Sequence, residues 1–427
     1  MPRSPARALR VGAAAVVLAV PALAAPALPA QAAGAPRQIS YRQWDTTAQL
    51  RSGAFSGTGV ASGTLRLTRP SARVRVGGRD YVRGTWTSPW VRPGFRLTEL
   101  VPSWAATTPV GTLVQVDVRG LGPHGTRSSW DTLARWAGPD RSFRRTSLGS
   151  QRDDLAHVAT DTWETYAGLP AWQLRVSLLR RVGSRATPVV GTVGAMASRL
   201  PLVDRVARSQ PGVARGTVLG VPRYSQMVHA GEYPRYGGGG EAWCSPTATT
   251  MVLAYYRRLP PARDYAWVRR SYPDRVVDHA ARMTFDHGYD GTGNWSFNTA
   301  YAAGRTGHAF VTRFASLRGV ERLIAAGIPV VTSITFGAGQ LRGAPIRATN
   351  GHLVVVVGFT RAGDVVVNDP AARTRAGVRR TYARGQFENA WLKRYPSGGT
   401  MRGSGGLAYV VRDGAHPLPA RSGTRSW

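Results

Sequence analysis

The 427-residue sequence predicts two folded domains of different class, an all-β sandwich over residues 36–190 and an α+β domain over residues 222–412. Short strand patterns separated by glycine and proline turns fill the first region. Helical and strand patterns alternate in the second. Residues 191–221 lie between them, lack a sustained period and are rich in glycine, proline and arginine, which predicts a linker. Residues 413–427 are predicted to form a tail.

The N-terminal segment has the pattern of a secretory signal peptide. Residues 1–32 contain three arginines, then an Ala/Val/Leu/Pro run, then Ala30-Gln31-Ala32, a small-residue cleavage pattern. Prolines interrupt the apolar run and no stop-transfer charge cluster follows it, which argues against a membrane anchor. We therefore expect an exported, extracellular protein whose mature chain has no transmembrane segment.

The formal net charge is +33, and arginine carries almost all of it because Lys393 is the only lysine. Such a charge attracts anionic polymers and surfaces. It is also typical of arginine-for-lysine bias in a GC-rich genome. The arginines are scattered singly and in pairs, not gathered in a basic block, which favours the second interpretation. We expect no specific nucleic-acid partner, only weak, salt-sensitive adhesion to anionic surfaces.

Strand periodicity supports the sandwich. In GTLVQVDVRG (111–120), valines alternate with polar residues, as in a strand with one buried face. Tryptophan is frequent in this region. Core packing is the favoured interpretation for most of these rings, and a sugar- or wall-binding face is the alternative. They are Trp86, Trp90, Trp104, Trp130, Trp136, Trp163 and Trp172.

The α+β domain is predicted from two helices and four strands. Thr247 to Arg258 is the first helix, with Ser245 as N-cap and Pro246 at the first helical position. The second helix covers residues 317–327. The predicted strands cover residues 328–336, 351–360, 364–370 and 407–411.

Cys244 is the only cysteine, so no intramolecular disulfide can form. It directly precedes the first predicted helix, where free N–H groups and the positive dipole end favour a thiolate. Glycines 237–240 have no side chains and would let a substrate backbone approach. A free cysteine is often only a small buried apolar residue. The polar, glycine-rich flank and the helix start favour a nucleophile.

A base and its orienting group lie further along the chain. His352 begins an apolar strand after Asn350-Gly351, and Asp369 ends the next strand. A two-residue turn at Ala362-Gly363 would place residue 369 opposite residue 356, on the same strand face as residue 352. An acidic group beside the imidazole would hold its tautomer and leave the other nitrogen for the thiol.

Other polar residues are candidates for binding. Gln226 could donate a hydrogen bond to an oxyanion, with the Cys244 N–H as second donor. We predict that the loop DHGYDGTGNWSFN (286–298) shapes the cleft. The predicted substrate-binding residues are Gly240, Trp243, Asp290, Asn294, Trp295 and Asn350.

No metal or other cofactor is expected. Asp286, Asp290 and Asn294 have a spacing loosely like that of a calcium loop, but the terminal glutamate of such a loop is missing. A single cysteine also makes a structural zinc site of the usual Cys/His type improbable.

The motifs together resemble one known family. They are VPRYSQM, EAWCSPTATTMVLAYY, NGHLVVVVGF and VVVNDPA. The set is similar to papain-like cysteine peptidases related to bacteriocin (double-glycine leader) processing peptidases, and most similar to their secreted, stand-alone relatives in actinobacteria. The resemblance covers about residues 221–412. Gln226 lies 18 positions before Cys244 (244 − 226), further than in the compact relatives.

The resemblance implies a split papain-like fold, with the cysteine helix on one side of a cleft and the His/Asp sheet on the other. It implies Cys244 as nucleophile, His352 as base, Asp369 as orienting group and Gln226 as oxyanion donor. We therefore expect a secreted cysteine peptidase acting on a peptide or protein, including cell-wall peptide. Two alternatives remain open: a transglutaminase-like acyltransferase with the same residues, and a non-catalytic wall- or glycan-binding protein.

Overall fold

A computed structural model describes residues 36–152, 154–420 and 425–427. The predicted signal peptide, residues 1–32, lies outside these residues. The described chain is mostly β with few helices. None of its helices is both long and apolar enough to span a bilayer.

The first domain contains fourteen strands and one short helix within the described residues, α1 (Thr47–Arg51). The strands are β1 (Gln38–Trp44), β2 (Ala54–Ser56), β3 (Thr58–Ala61), β4 (Thr64–Leu67), β5 (Ala72–Val76), β6 (Arg79–Thr87), β7 (Leu97–Thr107), β8 (Thr112–Leu121), β9 (Asp131–Trp136), β10 (Thr146–Ser147), β11 (Ala156–Ala159), β12 (Thr162–Leu169), β13 (Ala171–Arg181) and β14 (Val189–Arg199).

These strands form two seven-stranded antiparallel sheets. One has the order β11-β12-β7-β14-β4-β3 with β1 beside β14, and the other has the order β10-β9-β8-β13-β6-β2 with β5 beside β6. Tryptophans join the two sheets: Trp44 of the first contacts Trp86 and Trp172 of the second, with ring centroids 5.4 and 6.0 Å apart. The predicted sandwich is therefore present, and five of the seven tryptophans named above are buried in its core.

The second domain contains five helices and eight strands within the described residues. The helices are α2 (Cys244–Tyr255), α3 (Val276–Thr284), α4 (Trp295–Thr306), α5 (Leu317–Ala325) and α6 (Arg384–Leu392). The strands are β15 (His308–Arg313), β16 (Val330–Phe336), β17 (Thr349–Phe359), β18 (Val365–Asn368), β19 (Arg379–Tyr382), β20 (Tyr395–Ser397), β21 (Thr400–Arg402) and β22 (Leu407–Arg412).

Six of these strands form an antiparallel sheet of order β15-β22-β16-β17-β18-β19. Helix α2 packs on β17 and also contacts α3 and α4. It has no solvent-exposed face over most of its length, because its residues from Ser245 to Leu253 are all buried. A helix that is apolar or buried all round lies inside a domain. The start of α2 is therefore held on several sides, next to the strand that carries His352.

The β17–β18 hairpin differs from the predicted register. Val355 pairs with Asn368, so the pairing of Asp369 would continue to residue 354 and not to residue 356. Two features cause the shift: the turn spans residues 360–364, and a bulge at Val357 interrupts the ladder. A bulge adds a residue to one strand and shifts everything beyond it.

The predicted N-cap was also wrong. Helix α2 starts at Cys244, and Ser245 lies inside its first turn, where its hydroxyl forms a 3.0 Å hydrogen bond with the hydroxyl of Tyr409. Pro246 is third in the helix, still among the positions whose N–H has no intrahelical acceptor.

The predicted linker (191–221) and the described part of the predicted tail (413–427) form more regular contacts than a linker and a tail would. Strand β14 occupies most of the first ten residues of the predicted linker, and residues 215–219 bond to the end of β17. In the predicted tail, the Arg425 carbonyl accepts a hydrogen bond from the Tyr41 N–H at 2.8 Å. The ring of Trp427 is 3 % exposed and packs on Phe314.

One apolar core spans both domains. Phe297 of α4 packs against both Trp104 and Trp136 of the sandwich, with centroids 6.2 and 5.2 Å away. Two hydrogen bonds reinforce this contact: Ser296 Oγ donates to Pro102 O at 2.7 Å, and Ser103 Oγ accepts from Val311 N at 2.8 Å. The second domain is therefore packed on the sandwich, not tethered to it.

A buried ion cluster lies at the same boundary. Glu99 of β7 pairs with both Arg313 of β15 and Arg394. Burial disfavours its charge, but the two arginines outweigh burial and hold the pKa of Glu99 below its usual value. Glu99 is 4 % exposed and Arg313 is 1 % exposed, so loss of the carboxylate would leave a buried guanidinium without its counter-charge.

Glu99→Gln is expected to lower the free energy of unfolding by about 3–5 kcal/mol, because it breaks a buried ion pair from one side. Asp80→Asn is the matched control, since its pair with Arg75 is largely exposed and its loss should cost less than about 0.5 kcal/mol. Urea denaturation measures both. Equal effects of the two substitutions would contradict the structural role of Glu99.

Candidate active site

The site is built where the first turn of α2 meets the start of β17. Cys244 is the first residue of α2 and is partly exposed, whereas His352 of β17 is 3 % exposed. Their side chains are close enough for each to shift the pKa of the other. His352 Nε2 lies 2.7 Å from Asp369 Oδ1. Since Nε2 faces the carboxylate, Nδ1 is the ring nitrogen left for the thiol.

Asp369 is fixed on both carboxylate oxygens. Oδ1 also accepts the N–H of Ala371 at 3.0 Å, and Oδ2 accepts the hydroxyl of Tyr382 at 2.7 Å. Burial opposes its charge, but His352 and these donors hold the pKa of Asp369 below its usual value. The carboxylate therefore stays ionised although it is fully buried.

The electrostatics of the site favour an ion pair between sulfur and imidazole. Burial opposes ionisation of Cys244, but its hydrogen bond to His352, the His352 charge and the N–H groups of Leu353 and Ser245 lower the pKa of the thiol overall. Burial also acts against the His352 cation, yet Asp369 and then Cys244 raise the pKa of the imidazole. A lowered thiol pKa together with a raised imidazole pKa favours the thiolate–imidazolium pair over the neutral pair.

Gln226 lies beside the loop that precedes Cys244. It is 3 % exposed, its backbone N–H donates to Pro370 O at 2.9 Å, and its Nε2 donates to Glu241 O at 2.6 Å. Its Oε1 has no hydrogen-bond partner among the described residues. Gln226 therefore joins the Asp369 segment, through its backbone, to the Cys244 loop, through its side chain.

Gly240 and Trp243 have interior positions, in contrast to the predicted substrate contacts. A Cβ on Gly240 would lie 2.3 Å from the carbonyl carbon of His229 and 2.6 Å from Gln226 O, so this glycine admits a neighbouring loop of the same chain. Trp243 is fully buried, and its indole N–H donates to Tyr236 O at 2.6 Å. Sequence alone does not distinguish a glycine facing substrate from one facing a buried backbone.

The loop at 286–294 is anchored to the sandwich through Asp286. This buried carboxylate accepts hydrogen bonds from Ser147 N at 2.8 Å, Gly288 N at 2.9 Å and Asn294 Nδ2 at 2.8 Å. Asn294 is itself the N-cap of α4, with its Oδ1 accepting from Phe297 N. Its side chain is 1 % exposed, so it supports the helix and does not contact substrate as predicted.

Two of the other predicted binding residues are exposed and one is half-buried. Asp290 is exposed at a positive φ of 55° within the loop, and Trp295 is half-buried at the start of α4. The Trp295 N–H donates to Asp161, a carboxylate of the sandwich. Asn350 is exposed two residues before His352 and lines a shallow cavity with Thr349 and Tyr395.

Tyr289 is a residue near the site that the sequence did not reveal. Burial raises the pKa of its phenol, and the charges of Asp161 and Cys244 raise it further, so the ring lies within electrostatic range of the thiol. Gly291 makes room for this ring, since a Cβ there would lie 2.7 Å from it. In the sequence, the only signal for the position of Tyr289 is the group of glycines around it, in GYDGTG (288–293). Tyr382 was missed as well, because β19 had not been predicted.

Two sequence-family matches cover the chain, one for each of the two domains seen in the structure. Residues 40–198 match the family described as "Peptidase C39 N-terminal domain", and residues 218–398 match the "Peptidase_C39 like family". The chain belongs to the C39-like peptidase family. The N-terminal match ends within one residue of the end of β14, so the C39-like chain has its sandwich boundary about ten residues later than predicted. No curated protein matches the C39-like chain at a significant level.

Three solved structures are similar to parts of the C39-like chain. A candidate C39-like peptidase from Bacillus anthracis is 17 % identical over 46 % of this chain and 98 % of its own, with a TM-score of 0.28. The structure of accessory secretory protein 1, 2 and 3 from Streptococcus pneumoniae is 15 % identical over 37 % of this chain and 97 % of its own, with a TM-score of 0.20. The enzymatically active domain of bacteriophage CBA120 tailspike protein 4 is 10 % identical over 37 % of this chain and 19 % of its own, with a TM-score of 0.17.

The proposed thiolate–imidazolium pair of Cys244 and His352 predicts how the alkylation of Cys244 by iodoacetamide depends on pH. We expect the alkylation rate of the wild type to stay high at neutral pH and to fall only in acid, because a lowered pKa keeps the thiolate present at lower pH. His352→Ala removes the cation while burial remains, so its alkylation midpoint should move to higher pH. When the thiol pKa lies above neutral pH, each further unit lowers the thiolate fraction, and with it the alkylation rate, by about tenfold.

The labelling experiment is unambiguous because the chain has one cysteine. His124→Ala, an exposed histidine of the sandwich, is the control and should keep the wild-type profile. Mass spectrometry of the alkylated chain at a series of pH values gives the rates. A His352→Ala profile that coincides with the wild-type profile would refute the pairing.

Gly240→Ala should destabilise the fold by about 1–3 kcal/mol, because the added methyl overlaps backbone atoms. It should also slow alkylation of Cys244, since the loop before α2 must shift. Gly220→Ala is the matched control, because no atom lies within 4 Å of a Cβ at that position. Urea denaturation and alkylation at neutral pH measure the two effects. Similar stabilities of the two variants would show that the loop yields easily.

Proposed function

We propose that this chain is a secreted cysteine peptidase with a papain-like second domain. One observation carries the proposal: a partly exposed Cys244 at a helix start is coupled electrostatically to buried His352, whose Nε2 lies 2.7 Å from Asp369 Oδ1. Helix α2 forms one side of the proposed cleft, and the sheet edge with His352 forms the other. The family match agrees with peptidase chemistry.

In the proposed mechanism the Cys244 thiolate attacks an amide carbonyl carbon. The imidazolium of His352 gives its Nδ1 proton to the leaving amine as the C–N bond breaks, which leaves an acyl-enzyme thioester. Neutral His352 then takes a proton from water, whose oxygen attacks the thioester. Release of the acid restores the thiolate–imidazolium pair. Asp369 keeps the ring oriented throughout and remains ionised.

The proposed oxyanion donors are the backbone N–H of Cys244 and the side-chain N–H of Gln226. Backbone N–H groups in the first turn of a helix have no intrahelical acceptor and point at a bound oxygen. Gln226 Nε2 carries two hydrogens, and Glu241 O accepts one of them. The second is available to an oxyanion.

We propose a peptide or protein as substrate, including cell-wall peptide, and an extracellular site of action from the signal-like residues 1–32. The loop at 286–294 would form a substrate wall through Tyr289. Because Asp286 and Asp161 tie this loop and α4 to the N-terminal domain, the sandwich would help to shape the specificity of the second domain.

A peptide-library cleavage profile tests the proposal. The wild type should release products with new amino termini, and Cys244→Ala should abolish cleavage while its thermal unfolding curve stays unchanged. Full activity of Cys244→Ala would eliminate the nucleophile assignment. Adding an amine acceptor and weighing the products separates hydrolysis from acyl transfer. Absence of cleavage by a wild type whose thiol is readily alkylated would favour a binding protein.

Gln226→Ala should lower kcat by about 10²- to 10³-fold with little change in KM, as expected for loss of an oxyanion donor. Alkylation of Cys244 needs no oxyanion hole, so its rate should remain that of the wild type. A parallel fall of both rates would instead mean that Gln226 acts only by supporting the loop through Glu241.

A further inference from the structure

A buried cluster of one imidazole and two carboxylates lies in the segment between Gln226 and Cys244. His229 Nδ1 is 2.8 Å from Glu232 Oε2 and 3.3 Å from Asp278 Oδ2. The side-chain ligand atoms of all three residues lie within 4.8 Å of one another. His229 and Glu232 belong to the loop before the cysteine, and Asp278 belongs to helix α3. His229 and Asp278 are fully buried, and Glu232 is 7 % exposed.

The charge of this cluster is not balanced by the protein. Even with His229 protonated, two carboxylates and one imidazolium sum to −1. No lysine or arginine of the described residues forms an ion pair with Glu232 or Asp278. Neither carboxylate oxygen of Asp278 has a hydrogen-bond partner of acceptable geometry among those residues. Two buried carboxylates that share one imidazole are costly unless a further cation or a proton neutralises the remaining charge.

We propose that His229, Glu232 and Asp278 bind a divalent transition-metal ion, with Zn²⁺ as the best match. Imidazole nitrogen with carboxylate oxygen is a donor set that Zn²⁺ accepts. In a tetrahedral site with bonds of about 2.0 Å, ligand atoms lie about 3.3 Å apart. The His229–Asp278 separation of 3.3 Å already has this value, the His229–Glu232 separation of 2.8 Å is shorter by about half an ångström, and all three ligand atoms lie within 4.8 Å of one another. Three protein ligands leave the fourth position to water.

The ion would fix the segment that carries the oxyanion donor and leads to the nucleophile. Gln226 O accepts the N–H of His229 at 3.1 Å, Gly240 packs against the His229 backbone, and the Trp243 ring lies 6.0 Å from the imidazole. A metal ion bound by both His229 and Asp278 would therefore join this loop to α3. This role explains how a longer segment before the cysteine is held in place, and it is independent of the proposed peptidase activity.

The alternative occupant of the cluster is a proton. Burial disfavours a charged His229, but Asp278 and then Glu232 raise the pKa of its imidazole. Burial, together with Asp278, raises the pKa of Glu232 to about 7. Protons could therefore neutralise the cluster without any ion, and a direct measurement of metal binding separates the two cases.

The test uses the full chain with Cys244→Ala, so that the active-site thiol cannot bind the metal. After removal of metals with a chelator, calorimetric titration with ZnCl₂ should show one ion per chain, and the melting temperature should rise with Zn²⁺ and fall when chelator is added back. MgCl₂ should have no such effect, because Mg²⁺ prefers all-oxygen ligands. A stripped protein that takes up no Zn²⁺ would overturn the proposal and leave protons as the occupant.

Two further variants locate the ion. Adding Asp278→Asn to Cys244→Ala should weaken Zn²⁺ binding by at least about 100-fold, since loss of even an outer partner of a metal ligand costs about 10- to 100-fold. Adding Asp264→Asn, an exposed acidic residue before α3, should leave the affinity unchanged. Unaltered affinity in the Asp278→Asn variant would show that the ion binds elsewhere and would refute the site.

Discussion

The contact between α4 and the sandwich is the constraint on which the arrangement of the site depends. Phe297 packs against both Trp104 and Trp136, so the two domains share one close-packed interior. Packed interiors of this kind have discrete arrangements and resist gradual sliding. Helix α4 in turn contacts α2, whose first residue is Cys244. Cys244 and the loop with Tyr289 thus both take their positions from a core that the sandwich helps to build.

The grouping of the candidate site residues was easier to predict from sequence than their detailed geometry. Cys244, His352 and Asp369 stand beside strong local signals, a helix start and two apolar strands, and the structure brings the three together. The predicted hairpin register was wrong because neither the longer turn at residues 360–364 nor the bulge at Val357 has a local signature. Ser245 does not cap its helix because its hydroxyl contacts Tyr409, which is 164 residues away. Such long-range contacts decide the role of a side chain, and short patterns do not encode them.

The same limit applies to residues that were predicted to bind substrate. Gly240, Trp243 and Asn294 have the composition of a cleft lining, yet each is used in the interior. The cluster of His229 and Asp278 was not predicted, because these residues lie 49 positions apart (278 − 229) on elements whose packing is known only from the fold. The segment before Cys244 is therefore a structural unit of its own, held by buried polar groups and by glycine contacts.

The near absence of lysine has a chemical consequence for an enzyme that would form a thioester. Any exposed primary amine can compete with water for an acyl group. The chain has one lysine, Lys393, which is 2 % exposed and whose Nζ donates to Gln340 Oε1 at 2.7 Å. Guanidinium groups stay protonated and are not acyl acceptors at neutral pH. A surface whose cations are arginines therefore protects the protein from acylating its own side chains, or those of neighbouring copies, however long the thioester persists.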